Sequence, residues 1–444
     1  MKYFVQNLGC QMNLSDSERI QSVLNGLGLE KTENEAEASI LGLVACSVRQ
    51  KAIDRVYSKI HEWNERKANE NLITFVSGCI LPTDQEKFLK KFDLLFGLSQ
   101  VPELPSLLQQ YGVATPISLD STARPSLQNF WQVKPHYSSS FEAFVPIQNG
   151  CDKFCTFCAV PYTRGREVSR PSQEILAEVT SLVRRGYKSI TLLGQNVNSY
   201  GQDKKGQELS FAELLNEVGE IGRREQVFFW TYFTSPHPRD MSVEVLETIA
   251  RHPVLAKQIH LPLQSGDDKV LIRMNRNYGL ERYREVVKDV ERILPTATLF
   301  TDIIVGFTGE SEEQFQNSRR AMEEFQFQMA FIAQYSPRPG AASARWDDDV
   351  PLEVKKARLH ELSSVLHTTS LAYNQTLVGK KMLALVEKPD RKPGFLAART
   401  EGKIGVRFAS EDENLIGKFV EIEITSAVPL SLEGNLVSGH AAAS

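Results

Sequence analysis

The first chemical fact in the sequence is the placement of its six cysteines: Cys10, Cys46, Cys79, Cys151, Cys155 and Cys158. Three of them fall within eight residues, Cys151-Asp152-Lys153-Phe154-Cys155-Thr156-Phe157-Cys158, at gaps of four and three. Three thiolates on one loop can hold three irons of a 4Fe–4S cluster and leave the fourth iron open to an outside ligand. Structural zinc asks for a fourth Cys or His nearby and for C-x2-C pairs, and neither His136 nor any other histidine lies close to this loop. The other three cysteines are spread at gaps of 36 and 33 residues. Six cysteines in 444 residues are too sparse for a disulfide scaffold. In a reducing compartment they are thiols, free or bound to metal.

These cysteines need elements to position them. Tyr3-Phe4-Val5, Ile40–Val44 and Leu72–Val76 read as short strands, each followed by a cysteine and then a helical stretch. Ser15-x-x-Glu18 has the form of a capping box, opening a helix that runs to about Gly26–Gly28. Strands alternating with helices argue a mostly parallel α/β sheet, whose sites form at the carboxyl ends of its strands. Cys10, Cys46 and Cys79 all fall at such ends, so they can meet in space.

Residues 116–136 are rich in Pro, Ser and Thr, with Pro116, Pro125 and Pro135 among them, and read as a linker. Beyond it, strands are expected at Phe144–Ile147, Ser189–Leu193, Phe228–Thr231, Gln258–Leu261, Thr301–Val305 and Phe331–Tyr335, with helices such as Ser172–Arg185 and Leu280–Ile293 between them. Six such units predict a partial (β/α)6 barrel with its site at the strands' C-terminal face. A long helix over about Leu352–Leu377 leads to short alternating strands, Met382–Val386, Gly394–Arg399, Ile404–Phe408 and Lys418–Ile424, which predict a small antiparallel β-barrel.

Composition bounds the rest. Hydrophobic residues are 41% and charged residues 24%, which excludes a wholly disordered or fibrous chain. No apolar run approaches the roughly 18 residues of a membrane span, and the start lacks the pattern of a secretory signal, so no membrane and a cytoplasmic location are expected. A net charge of −4 gives no global reason for nucleic-acid binding, which must come from local patches.

The segment Gly150-Cys151-x-x-x-Cys155-x-Phe157-Cys158 resembles the signature loop of radical S-adenosylmethionine (SAM) enzymes. Its continuation, Val160-Pro161-Tyr162-Thr163-Arg164-Gly165-Arg166-Glu167, resembles that of the methylthiotransferases. Further matches include Leu8-Gly9-Cys10-Gln11-Met12-Asn13, Cys46-Ser47-Val48-Arg49, Met274-Asn275-Arg276, Tyr335-Ser336-Pro337-Arg338-Pro339-Gly340 and the TRAM-like Glu413–Lys418. Gly-Cys-Gln-Met-Asn at the start is similar to the MiaB-type tRNA branch rather than the ribosomal-protein branch. Departures from the family pattern are Val44-Ala45 before Cys46, Ile80-Leu81-Pro82 after Cys79, and Thr308 in place of a Pro.

The resemblance implies an N-terminal methylthiotransferase domain over 1–115 holding an auxiliary cluster, the linker 116–136, a radical SAM core over 137–372 and a TRAM RNA-binding domain over 376–441. Its cofactors would be two 4Fe–4S clusters and SAM. Cys151, Cys155 and Cys158 would hold the cluster that cleaves SAM to a 5′-deoxyadenosyl radical, which an unreactive adenine C–H requires. Cys10, Cys46 and Cys79 would hold the cluster that carries the sulfur. The reaction would convert N6-isopentenyladenosine beside the anticodon to its 2-methylthio derivative. Threonylcarbamoyladenosine tRNA or a ribosomal-protein Asp are the alternative substrates, and a zinc-stabilised, non-catalytic RNA-binding protein is the alternative of another class.

SAM contacts are expected from Phe157, Gly194, Gln195, Asn196, Gln264 and Ser265, and RNA contacts from Arg164, Arg166 and Arg170. His237 and His260 read as structural histidines, and Lys380, Lys381, Lys388, Arg391 and Lys392 as a basic edge of the last domain. Expected partners are the tRNA anticodon stem-loop, an electron donor such as flavodoxin or ferredoxin, and iron–sulfur assembly proteins. The chain is expected to act as a monomer.

Overall fold

The computed structural model describes residues 1–47, 50–113 and 126–441. Val48 and Arg49 of the Cys46 segment, and Pro116 and Pro125 of the expected linker, lie outside the described residues.

The first unit is a five-stranded parallel sheet. Its central strands are Lys2–Leu8, Ile40–Cys46 and Ile73–Cys79, and the two-residue strands Glu30–Lys31 and Leu94–Leu95 lie at its edges. Every residue of Ile40–Cys46 is buried, as an apolar run covered on both sheet faces requires. One face packs Ile20, Leu24 and Phe130, and the other packs Val56, Ile60 and Trp63. Part of the expected linker is therefore structure: Leu127–Gln132 is a short helix that buries Phe130 and Trp131.

The Ser15–Glu18 capping box is not the start of the first helix. That helix spans Gln11–Gly26 with Cys10 as its N-cap residue. Ser15 and Glu18 are used across domains instead. Ser15 donates to the Phe144 carbonyl at 3.2 Å, and Glu18 accepts from the Ser138 amide and hydroxyl at 2.8 and 2.7 Å.

The second unit carries six parallel strands in two sheets of three. Glu142–Pro146, Ser189–Leu193 and Trp230–Phe233 form one, and Gln258–His260, Thr298–Val305 and Met329–Gln334 form the other. A single bridge, Thr231 to Leu255, links them. The first and last strands do not pair, so the barrel is open. The first helix of the chain covers one open edge through Ser15, and Leu352–Gln375 packs against the last strand.

The third unit is a closed five-stranded barrel of Lys381–Pro389, Phe395–Thr400, Gly405–Ala409, Phe419–Val428 and Ser431–Ala441. Its fifth strand, unexpected from the sequence, pairs parallel with Gly405–Ala409 and antiparallel with Phe419–Val428. The barrel is thus antiparallel except at the pair that closes it.

This barrel docks on the base of the six-stranded unit. The Trp230 ring meets Phe419 edge-on at 4.6 Å, Thr298 donates to the Gly402 carbonyl at 2.7 Å, and the Lys257 amide donates to Glu401 at 3.3 Å. These residues start their strands, whereas the cysteines follow strand ends. No helix among the described residues is long and apolar enough to cross a membrane.

Candidate functional site

Cys10, Cys46 and Cys79 meet. Cys46 and Cys79 are register partners on adjacent strands, and Asn13 ties Cys10 to them. The Asn13 carboxamide oxygen accepts from the Cys10 amide at 3.3 Å, while its Nδ2 donates to the Ala45 carbonyl at 3.1 Å and faces Cys79 Sγ at 3.6 Å. Gly78 makes this approach possible. It sits at φ +106°, and a Cβ there would lie 2.4 Å from the Ala45 carbonyl oxygen. A hydrogen bond with Cys46, then burial, pushes the Cys79 thiol well above its ordinary range, and burial followed by the Cys79 charge raises Cys10.

Cys151, Cys155 and Cys158 follow the first strand of the six-stranded unit. Their loop is closed at its stem. The Asn149 Nδ2 donates to the Arg164 carbonyl at 2.9 Å, and the Cys151 amide donates to the Gly165 carbonyl at 3.3 Å. Gly150, at φ +80°, lies so close to the Arg166 carbonyl that a Cβ would come within 2.1 Å of that oxygen. Across the mouth, Thr156 is held by the Met274 and Arg273 carbonyls at 3.0 and 2.8 Å. Burial pushes Cys151 up to about 11 and Cys158 up to about 12, with Cys155 adding to both.

Each triad supplies sulfur alone, the donor that an iron–sulfur cube takes from protein, and the three cysteines of the radical SAM loop are the number that leaves one iron open.

A buried guanidinium reaches each triad. Arg276 Nη1 faces Cys155 Sγ at 3.5 Å, and its Nη2 donates to the Pro262 carbonyl at 2.9 Å. Arg164 Nε donates to Cys79 Sγ at 2.9 Å, Nη1 to Asn149 at 3.0 Å and Nη2 to Asp16 at 2.5 Å. Burial works against the Arg164 charge, and Asp16 and Cys79 outweigh it, holding the guanidinium above its ordinary range. A cavity of about 260 Å³ opens beside this contact, lined by Gly78, Ile80, Gln85, Asn149, Thr163 and Arg164.

The expected RNA contacts therefore need correction. Arg164 is 8% exposed and Arg170 4%, and Arg170 is ion-paired to Glu178 at 2.6 Å and to Glu174 at 3.3 Å. Both spend their charge inside the protein, between the N-terminal helix and the barrel. Arg166 is exposed, pairs with Asp152 at 2.6 Å and stacks over the exposed Phe154 ring.

The residues expected to touch SAM lie at strand ends, with different surroundings. Phe157 meets Phe307 edge-on at 6.5 Å, beside Val270 and Met274. Gly194 is packed on Gln148 and Val197, and Gln195 Oε1 accepts from the Gly150 amide at 2.6 Å, bracing the cysteine loop. Asn196 is buried and donates to Ser199 at 2.8 Å, while its Oδ1 has no partner. Gln264 holds φ +73° and links to the neighbouring strand through the Asp302 carbonyl and Ile304 amide. The Ser265 hydroxyl is a correction: it is fully buried and shared between Ser318 and the Asp267 amide, so it serves the strand–helix junction.

His237 and His260 each hold a contact within the protein, and His237 Nε2 is buried without a hydrogen-bond partner among the described residues. His237 caps a turn by accepting from the Arg239 amide at 3.3 Å, and burial, with Arg276 and Lys153 nearby, pushes it down to about 2. His260 is bonded to Asp302 at 2.7 Å. Asn13, Asp16, Asn149 and Arg276 were not singled out from the sequence as site residues. Asn13 and Arg276 lie inside family-like segments, whereas no sequence signal pointed to Asp16 or Asn149.

Comparison with known proteins agrees with this architecture. Residues 145–322 match the radical SAM superfamily, 2–97 the uncharacterized protein family UPF0004, and 375–437 the TRAM domain. A curated protein of Dictyoglomus thermophilum, tRNA-2-methylthio-N(6)-dimethylallyladenosine synthase, is 39% identical over 442 residues, covering 98% of each chain. The chain belongs to that family. A relative of the same name from Francisella tularensis subsp. holarctica is 37% identical over 443 residues, covering 98% of this chain and 99% of its own.

Among solved structures, the radical SAM methyltransferase TsrM from Kitasatospora setae superposes with a TM-score of 0.55 at 10% identity, over 89% of this chain and 78% of its own. That likeness concerns the fold. Membership of the radical SAM superfamily implies one 4Fe–4S cluster and SAM, and the C-x3-C-x2-C loop is the part of this family member that can hold them.

Proposed function

We propose that this chain is a tRNA methylthiotransferase that converts N6-isopentenyladenosine next to the anticodon into its 2-methylthio derivative. The observation that carries the reading is that Arg164, from the stem of the C-x3-C-x2-C loop of the radical SAM core, donates to Cys79 of the N-terminal sheet, where Cys79 pairs in register with Cys46.

Cys151, Cys155 and Cys158 would hold the SAM-binding cluster, and Cys10, Cys46 and Cys79 the second. When bound, the first supplies the electron that cleaves SAM, and the second supplies the sulfur. The protein's own residues do the positioning. Gln195 and Asn149 brace the cysteine loop, Thr156 fixes its far side against residues 273–274, and Arg276 sets a positive charge beside Cys155. Phe157 and Phe307 offer an apolar wall at that side of the barrel mouth, suited to the adenine of SAM. Gly194 and Asn196 follow the end of Ser189–Leu193 and Gln264 that of Gln258–His260, placed for its amino-acid part. Residues 375–437 would add affinity for tRNA, and a reduced flavodoxin- or ferredoxin-like donor and iron–sulfur assembly proteins would serve the clusters.

The test is mass spectrometry of total tRNA from a strain lacking the gene. The methylthio mark on the isopentenylated adenosine should vanish and return on complementation. An unchanged tRNA profile with an altered ribosomal protein would reject this choice of substrate.

A further inference from the structure

Among the described residues a buried guanidinium reaches each triad, and Arg164 reaches the N-terminal one from the loop that carries the other. Its backbone belongs to the stem of the radical SAM loop, six residues past Cys158, where its carbonyl accepts from Asn149. Its side chain leaves that loop, crosses the domain seam and ends on Cys79 at 2.9 Å. Each polar nitrogen of the guanidinium has a partner, Cys79, Asn149 and Asp16. Asp16 lies on the N-terminal helix, about 1.7 turns past Cys10, so the ion pair also locks that helix to the barrel. Both members of the pair are almost fully buried. A buried cation held this way is positioned by design of the network rather than by chance contact with solvent-exposed acids.

We infer that Arg164 is a positioning residue that tunes the Cys10–Cys46–Cys79 centre from the stem of the loop that carries the other triad. The inference rests on the proposal that this N-terminal triad carries a four-iron cluster. A charged N–H donated to a ligand thiolate draws electron density from the cluster and raises its reduction potential. Asp16 opposes that effect by neutralising the guanidinium. The two residues must therefore act with opposite sign.

The experiment uses full-length protein with Cys151, Cys155 and Cys158 changed to Ala, reconstituted with iron and sulfide without oxygen, so that only the second centre is observed. About four iron per chain are expected, as one four-iron cluster requires. Absence of iron here would defeat the second-cluster reading itself, before Arg164 is addressed. With iron present, midpoint potentials from redox titration followed by electron paramagnetic resonance are compared in further variants. Arg164→Gln should shift the potential down, Arg164→Lys should recover part of the shift, and Asp16→Asn should shift it up. Unchanged potentials, or shifts of the same sign for Arg164→Gln and Asp16→Asn, would overturn the inference. If Arg164→Gln loads no iron, the upward shift in Asp16→Asn still supports it. Folded protein that loses iron in both variants would mark the pair as merely structural and overturn it.

Discussion

At the residue scale the two triads have separable duties. Cys155→Ala should abolish deoxyadenosine formation from SAM, because the loop then offers two sulfurs to a cube that needs three. Cys46→Ala should leave some abortive SAM cleavage with no sulfur insertion. Product analysis of both variants by liquid chromatography checks this, and equal SAM cleavage in wild type and Cys155→Ala would contradict the roles. Gly150→Ala is a backbone test of the same loop. The left-handed φ alone costs about 1–2 kcal/mol for a residue with a Cβ. The clash with the Arg166 carbonyl adds to it, so a lower melting temperature and poorer iron loading are expected. The cysteines were legible in the sequence because spacing on one loop, and position after three strands, are local signals. The arginines were not. Arg164 and Arg170 read as phosphate contacts because sequence shows a charge but not its partner, and their partners Asp16, Glu174 and Glu178 come from other elements or the next helical turn.

At the element scale, the strand–cysteine–helix units of the sheet and the six barrel strands were legible from apolar runs. The observed strands at Trp230–Phe233 and Met329–Gln334 start two residues later and two earlier than expected, since period alone fixes an apolar run and not its ends. The Ser15–Glu18 pattern misled for a similar reason. The same two side chains that can cap a helix can also bond the Phe144 carbonyl and Ser138 from inside one. The docking of the last barrel was not legible. Its turn places Lys403 over the Tyr232 ring at 4.1 Å, near Glu142, and burial pushes the amine down to about 8. The unfolded chain keeps that proton to about 10.5, so this lysine makes the protein gain stability as pH rises from about 8 towards 10.5. Lys403→Met should flatten that gain while holding or raising stability at pH 7, as thermal unfolding at several pH values would show. A steeper gain in the variant would contradict this account.

At the scale of the whole molecule, both triads and the SAM-side residues sit at the carboxyl ends of parallel strands, as open α/β sheets and barrels dictate. The TRAM barrel sits at the opposite end, at the starts of those strands. An RNA held by it must also run along the molecule to reach the cysteines. Five of its exposed basic residues lie at two ends of one strand. Lys380 and Lys381 stand where Lys381–Pro389 begins, and Lys388, Arg391 and Lys392 at the following turn, roughly 25 Å away at about 3.3 Å per residue. Changing Lys388, Arg391 and Lys392 to Gln should weaken stem-loop binding and reduce its salt dependence, by about 0.7–0.9 in slope for each phosphate left without its cation. Filter binding across a salt series checks it, and an unchanged slope would remove this turn from the RNA path.

The central claim is that the Cys151–Cys158 loop grips an iron–sulfur cube by three corners and leaves the fourth to SAM. It is tested most directly by adding SAM to the reduced, oxygen-free, reconstituted Cys46→Ala protein and recording the electron paramagnetic resonance of the remaining cluster. A shifted spectrum on SAM addition is predicted, and a spectrum that SAM leaves unaltered would contradict the claim.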